Sequence, residues 1–165
     1  MFSIFKRWFA NDLLVELSET QLKIQSFTHN REFDEPPLIA FKEFKGSLVV
    51  EAIGDQAKLL NSNEFKVSNP FKHPRSFIGD FLQAEKLLQM AFRKIHSDTG
   101  MLVPSPRVIV HQLEKTEGGL SQLEVRALRE LILGAGGREV LVYTGQRINP
   151  KVVTYDELKY QADHS

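Results

Sequence analysis

The sequence predicts an α/β protein built on a mixed sheet, in which antiparallel strands come first and parallel βαβ crossovers follow. Two short apolar segments, 12–17 and 21–25, are close enough along the chain to pair as an antiparallel hairpin. A helical pattern at 77–96 separates them from two further apolar segments, 107–110 and 139–143. These last two flank another helical pattern with no hairpin turn between them, so we expect a parallel crossover.

The composition limits what kind of protein this can be. Its 165 residues are 42% apolar, enough to bury the core of one domain. The 21 basic and 21 acidic residues balance, so nothing indicates a general nucleic-acid binder. The absence of cysteine excludes disulfides, thiolate zinc sites and thiol catalysis. Because there is no apolar run of roughly 20 residues and no signal-peptide pattern, we expect a cytoplasmic protein.

The first eleven residues have the pattern of an amphipathic helix. Three Phe and the only Trp share one side at helical spacing, and two cations lie opposite, which is typical of a helix in a membrane interface. Alternatively, the segment docks its aromatic face on its own domain, because so short a helix is marginal in water and needs a surface. With two basic residues, membrane attachment would need oligomerisation or a partner to strengthen it. The residues expected to bind the membrane are Phe2, Ile4, Phe5, Lys6, Arg7, Trp8 and Phe9.

A small insertion, about residues 37–70, is predicted after the first hairpin. In that hairpin Leu22 and Ile24 alternate with polar residues, and Ser18-Glu-Thr20 makes the connection. The breaks around the insertion come from Pro36-Pro37 and a proline-containing loop at 69–75. Its predicted elements are antiparallel strands at 38–41 and 47–53, a short helix at 54–60 and a brief strand at 65–67.

Two helices are predicted in the second half of the chain. The longer spans 77–96, and the shorter begins at Ser121, where Glu124 completes a capping box. Gly134-Ala-Gly-Gly137 ends the shorter helix, and the closing segment 151–160 adds a strand or a short helix. The buried stripe of the first helix is expected to be Ile78, Phe81, Leu82, Leu88, Phe92 and Ile95. On the second helix, apolar residues recur at helical spacing at Leu123, Ala127, Leu128, Leu131 and Ile132. The predicted divisions are an amphipathic segment 1–11, a domain 12–150 and a tail 151–165.

This order of elements is that of a ribonuclease-H-like half-domain, as in the actin, Hsp70 and sugar-kinase superfamily. From the first residue to about Tyr143, the sequence resembles MreB, the bacterial actin of cell-shape control. The resemblance implies an actin-like ATPase half-domain, with subdomains IA and IB of a truncated, degenerate homologue and without IIA and IIB. The matching motifs include Asn11-Asp12-Leu13, Glu35-Pro36, Ile53–Lys58, Ile78–Phe81, Glu85–Gln89, His96-Ser97, Pro104–Val108, Arg126–Glu130 and Gly134–Val140.

The resemblance also implies that the first phosphate loop has degenerated. In these actins the loop reads Asp-Leu-Gly-Thr: the acid helps hold hydrated magnesium, and the glycine lets backbone amides approach the phosphate. Here the same place reads Glu16-Leu17-Ser18-Glu19. Ser18 adds a side chain where the backbone should approach, and Glu19 places a negative charge beside the phosphates.

The catalytic glutamate of the family would follow the strand at 139–143. This chain has Thr144-Gly145-Gln146 there, so the resemblance leaves no general base to orient a water. We therefore expect no catalysis, little or no nucleotide binding and no cofactor. The histidines at 29, 73, 96, 111 and 164 contain no pair at i, i+3 or i+4, so no metal site is expected either.

Three hypotheses for function follow. The first is a non-catalytic MreB-like interaction protein, peripheral at the inner face of the cytoplasmic membrane, which binds itself, an MreB filament or another partner in cell-shape or envelope organisation. The second is a nucleotide-binding module that completes an ATP cleft with a second chain; Glu16 is the residue in its favour. The third is a scaffold subunit of a pilus or secretion-type assembly. A lone half of a two-lobed protein exposes the face that the other lobe covered, so we expect a homo-oligomer or a protein partner.

Overall fold

The computed structural model describes residues 10–60, 63–99 and 103–164. Within these ranges the chain forms eight strands, four α-helices and a short 3-10 helix at Ser97–Thr99. The elements are β1 (Asp12–Leu17), β2 (Leu22–Ser26), β3 (Glu32–Glu35), β4 (Ile39–Phe44), β5 (Ser47–Ile53), α1 (Gly54–Leu59), β6 (Lys66–Ser68), α2 (Phe81–His96), β7 (Arg107–Gln112), α3 (Gln122–Gly134), β8 (Glu139–Tyr143) and α4 (Tyr155–Asp163).

The main sheet is mixed, as the sequence predicts. Its strand order is β3-β2-β1-β7-β8, with β2 antiparallel to both β1 and β3. β7 runs parallel to β1 and to β8, which confirms the crossover through α3. β3 was not located from the sequence because Phe33 is its one buried residue. The strands β4, β5 and β6 form a separate antiparallel sheet in the order β5-β4-β6.

Both faces of the main sheet are covered. On one face, Leu13 and Val15 of β1 pack with α2 and α3 in the larger core cluster. On the other face, Leu14 packs with Tyr155 and Leu158 of α4. Every residue of β1 is buried, as expected for a strand covered on both sides. The closing segment, for which the sequence allowed a strand or a helix, is therefore a helix that belongs to the core.

An ionic cluster fixes α4 at the amino ends of the parallel strands. The guanidinium of Arg107 donates to both carboxylate oxygens of Asp12, at 2.7 Å each, and to Asp156 of α4 at 2.8 Å. These hydrogen bonds, above all those that Arg107 donates to Asp12, raise the pKa of Arg107. The guanidinium also lies 4.2 Å from the ring centre of Tyr155. Glu139 and Lys159 form a second ion pair beside it.

The predicted start of the long helix is wrong by four residues. α2 begins at Phe81, because the side chain of Asp80 accepts from the Gln83 amide at 2.9 Å and caps it. Before the cap, the amides of Gly79 and Asp80 both donate to Pro70 O, which holds the chain in a loop. Phe81 and Leu82 are 41% and 53% exposed, contrary to the predicted stripe. The buried residues of α2 are Ala84, Leu87, Leu88, Ala91, Phe92 and Ile95.

The capping box of α3 is confirmed. Ser121 Oγ accepts from the Glu124 amide at 3.2 Å, and the Glu124 carboxylate accepts from the Ser121 amide at 2.7 Å. Leu123, one of the apolar residues at helical spacing, is 76% exposed, and Leu120 packs against the core instead. None of the helices in the described part of the chain is long and apolar enough to cross a membrane.

Candidate functional site

The carboxyl ends of β1, β7 and β8 meet at one edge of the main sheet, because these strands are parallel and in register. Glu16 of β1 lies opposite His111 of β7, which lies opposite Tyr143 of β8. In open α/β sheets, ligands bind in the crevice at this edge. The structure brings the two predicted site segments, 16–19 and 144–146, to this edge, which we call the carboxyl edge.

Glu16 already has a charged partner at the carboxyl edge. Its side chain is 5% exposed and accepts two hydrogen bonds from Arg147, at 2.9 and 3.3 Å. The hydrogen bond to Glu16, then its charge, raises the pKa of Arg147. Sequence reasoning missed Arg147. The available signal was a cation directly after the Thr144-Gly145-Gln146 segment, but the pairing joins residues 131 positions apart.

The loop after β1 satisfies its own backbone amides. Ser18 Oγ accepts from the amides of Thr20 and Gln21, at 3.3 and 3.0 Å. The amide of Glu19 donates to the Glu114 carboxylate at 2.7 Å. This carboxylate is an anionic oxygen supplied by the chain itself, bound as a loop amide would bind a phosphate oxygen. The amides of Glu19, Thr20 and Gln21 are therefore all hydrogen-bonded within the chain.

The carboxylate of Glu19 is also engaged. Lys115 lies 2.6 Å from it, and the same ammonium donates to the backbone carbonyl of His73. Both side chains are 31% exposed, so the pair is partly screened by water. Glu19, which the sequence presented as an unfavourable charge for phosphate, is here the anchor of the Lys115 side chain.

A cavity of about 440 Å³ opens beside these groups. His111 lines it and is 5% exposed, and its Nδ1 has no hydrogen-bond partner among the described residues. Burial lowers the pKa of His111, although the negative charge of Glu16 acts against that shift. The ring of Tyr143 meets the imidazole edge-on, with 5.0 Å between ring centres. A Cβ on Gly145 would lie 2.3 Å from the Tyr143 hydroxyl, so a side chain there would displace Tyr143.

These groups limit the chemistry of the carboxyl edge. Thr144 and Gly145 line the cavity, and neither they nor Gln146 after them supply a carboxylate to act as a general base. The carboxylates beside it, those of Glu16, Glu19 and Glu114, are all hydrogen-bonded or ion-paired. Within residues 10–60, 63–99 and 103–164, no three His, Asp or Glu side chains come together as a metal site. The carboxylates at this edge are therefore already engaged within the chain.

The predicted membrane-binding residues, Phe2, Ile4, Phe5, Lys6, Arg7, Trp8 and Phe9, lie outside the described residues.

Comparisons with known proteins agree with this architecture. No protein-family model matches the chain. Over 145 residues the chain is 34% identical to the cell shape-determining protein MreB of Haemophilus influenzae, covering 85% of this chain and 39% of that protein. Sequence homology to MreB thus extends over most of the chain, while the chain spans about two fifths of that relative's length.

Solved structures show the same fold. MreB 5 of Spiroplasma citri bound to AMPPNP matches with a TM-score of 0.57 at 18% identity, over 81% of this chain and 38% of that one. A MamK double helical filament matches with a TM-score of 0.54 at 16% identity, over 81% and 41%. The fold is therefore actin-like.

Proposed function

We propose that this chain, homologous to MreB over 85% of its length and actin-like in fold, is a non-catalytic interaction protein of cell-shape or envelope organisation. It sits at the inner face of the cytoplasmic membrane through its N-terminal segment. It binds a second copy of itself or an MreB filament.

One observation carries the non-catalytic part of the proposal. The groups at the carboxyl edge that resemble a phosphate site are engaged within the chain. Glu16 is paired with Arg147, Glu19 with Lys115, and the Glu19 amide with the Glu114 carboxylate. A phosphate would have to displace a negatively charged carboxylate from the amide and approach two others, which is unfavourable where water is excluded.

Calorimetric titration with Mg-AMPPNP tests this part. We expect no heat of binding, with intact MreB as the positive control. The same titration on Arg147→Ala shows whether the ion pair alone blocks the site. We expect no binding there either, because Ser18 and the Glu114 carboxylate still close the loop. Binding of the wild type at micromolar affinity would contradict the proposal.

The membrane part is supported by the aromatic and basic pattern of the first residues. Co-sedimentation with anionic liposomes should be lost on deleting residues 2–9. The deletion stops there because Asn11 is buried and hydrogen-bonded, so removing it would perturb the fold itself. The matched control is Phe44→Glu, which adds a charge at an aromatic that is 59% exposed on the small sheet. Unchanged sedimentation after the deletion would contradict membrane attachment.

The partner part is supported by the relatives: MreB is a cell shape-determining protein, and MamK forms a double helical filament. Light scattering over a range of concentrations should show self-association, or intact MreB filaments should co-pellet the chain. A strictly monomeric particle that stays in the supernatant with MreB filaments would contradict this part.

A further inference from the structure

A groove of about 560 Å³ lies at the opposite edge of the main sheet, near the amino ends of β1 and β7. The last turns of α2 and α3 form two of its sides, and residues 103–106 form a third. Its walls are mixed: Gln89, Arg93, His96, Thr99 and Ser105 contribute polar or charged groups beside the apolar residues. The apolar wall residues are Phe92, Val103, Pro104, Pro106 and Ala135. We call it the α2–α3 groove.

The start of the described chain is fastened to this groove. Asn11 is 5% exposed, and its Nδ2 donates to the Pro104 carbonyl at 2.7 Å. Its Oδ1 lies 3.0 Å from His96 Nε2. One residue earlier, the carbonyl of Ala10 accepts from the Thr28 hydroxyl at 3.2 Å. The two residues that bond Asn11 line the groove, so the described chain begins at the groove's rim.

The number of residues before Ala10 and the chemistry of the groove wall indicate which side chains can bind there. Phe9 and Trp8 are one and two residues before Ala10, and an extended chain advances about 3.3–3.6 Å per residue. Both rings are therefore attached within two residues of Ala10. The apolar part of the groove wall suits an aromatic side chain, its polar part suits the polar side of an amphipathic segment, and Arg93 offers a cation to the face of a bound ring.

We propose that the α2–α3 groove receives the aromatic face of the chain's own N-terminal segment, with Trp8 as the anchor. The segment is too short to be a stable helix in water, so the groove supplies the surface it needs. The same aromatic face cannot lie in the groove and in a membrane at once. Resting on the proposed membrane function, the groove thus acts as a latch that competes with the lipid surface.

Trp8 is the only tryptophan of the chain, so its fluorescence reports the latch directly. In dilute protein without lipid, we expect blue-shifted emission and a low acrylamide quenching constant. Val103→Asp places a charge in the groove wall and should raise the quenching constant several-fold towards that of a free peptide of residues 1–11. Val49→Asp makes the same change on β5, away from the groove, and should leave the wild-type value. Circular dichroism and urea midpoints check that both variants are folded.

A competition experiment uses the wild-type protein. Excess peptide 1–11 carrying Trp8→Phe should displace the segment from the groove and raise the quenching of Trp8.

The latch also predicts a change in membrane binding. Liposome affinity should rise in Val103→Asp, about tenfold if about nine in ten wild-type molecules are latched.

If acrylamide quenches Trp8 of the wild type with the same constant as Trp8 of the free peptide, the latch is overturned. Protection that disappears on dilution would also overturn it, because the surface would then belong to a second copy. If Val103→Asp removes the protection of Trp8 from quenching, the latch is supported even if no variant binds liposomes. In that case only the proposed membrane function fails.

Discussion

Strand β1 carries a carboxylate at each end of the same face, and each carboxylate is held by an arginine. Asp12 at the amino end pairs with Arg107, and Glu16 at the carboxyl end pairs with Arg147. The two carboxylates are equally buried, at 6% and 5% exposure, but their partners differ: Arg107 is 19% exposed and Arg147 is 62% exposed. The same pairing is therefore structural at one end of the strand and peripheral at the other.

The difference follows from what each arginine touches. Arg107 also binds Asp156 and stacks on Tyr155, so it joins β1, β7 and α4 in one cluster. Arg147 reaches Glu16 from a loop and is itself mostly in water. Glu16 is as buried as Asp12, but removing the mostly exposed Arg147 side chain would open Glu16 to water, and an unpaired carboxylate costs less where water can reach it. The amino end is thus expected to hold the fold, and the carboxyl end to tolerate change.

The largest expected effect comes from breaking the amino-end pair. Arg107→Met should lower the free energy of unfolding by about 3–5 kcal/mol, because it leaves Asp12 charged and buried. Urea denaturation measures this. Asp156→Asn, at a residue whose side chain is 76% exposed, should cost about 1 kcal/mol or less. Adding Asp12→Asn to Arg107→Met should restore part of the loss, and failure to do so would mean that packing rather than charge is at work.

The next effect tests the second face of the sheet. Leu158→Ala should cost about 2–4 kcal/mol, because Leu158 is 6% exposed and fills the cluster between α4 and Leu14. Leu59→Ala, at a leucine that is 83% exposed, is the control and should change stability by about 0.5 kcal/mol or less. Equal urea midpoints for the two variants would show that α4 is not part of the cooperative core.

Breaking the carboxyl-end pair should cost less. Arg147→Ala is expected to lower stability by about 1–2 kcal/mol, between the values for an exposed ion pair and for a hydrogen bond to a buried charge. The loss should shrink in 1 M salt, unlike that of Arg107→Met. A loss as large as that of Arg107→Met would erase the distinction between the two ends.

The smallest effect is that of pH on His111. Burial holds its folded-state pKa below the ordinary 6.5, so the folded protein favours the neutral ring. Below pH 6.5 the unfolded chain binds more protons, and the stability from this group, fully present above that pH, is lost as the pH falls. The urea midpoint should drop between pH 7.5 and 5.5, and His111→Gln should drop less. Identical pH profiles would show that His111 does not titrate differently on folding.

The sequence predicted the strands and helices better than it predicted which of their side chains are buried. The crossover, the Ser121 cap and the mixed sheet are confirmed, since each rests on local signals: β-branched runs, a capping box and helical spacing. The prediction that Phe81 and Leu82 are buried is wrong. They lie in the first turn of α2, where periodicity gives the angle of a side chain but cannot say whether the core extends that far.

What the sequence determined by itself was the architecture and the composition of the loop at Glu16–Glu19, because these depend on residue type and short-range order. Only the tertiary structure decided the partners of those residues. The Glu16–Arg147 pair joins residues 131 positions apart, and the bond from the Glu19 amide to Glu114 joins residues 95 apart. Such pairings depend on strand register and loop paths, which arise only when the sheet closes around its core. For the same reason, the groove beside Asn11 could be seen only in the folded chain.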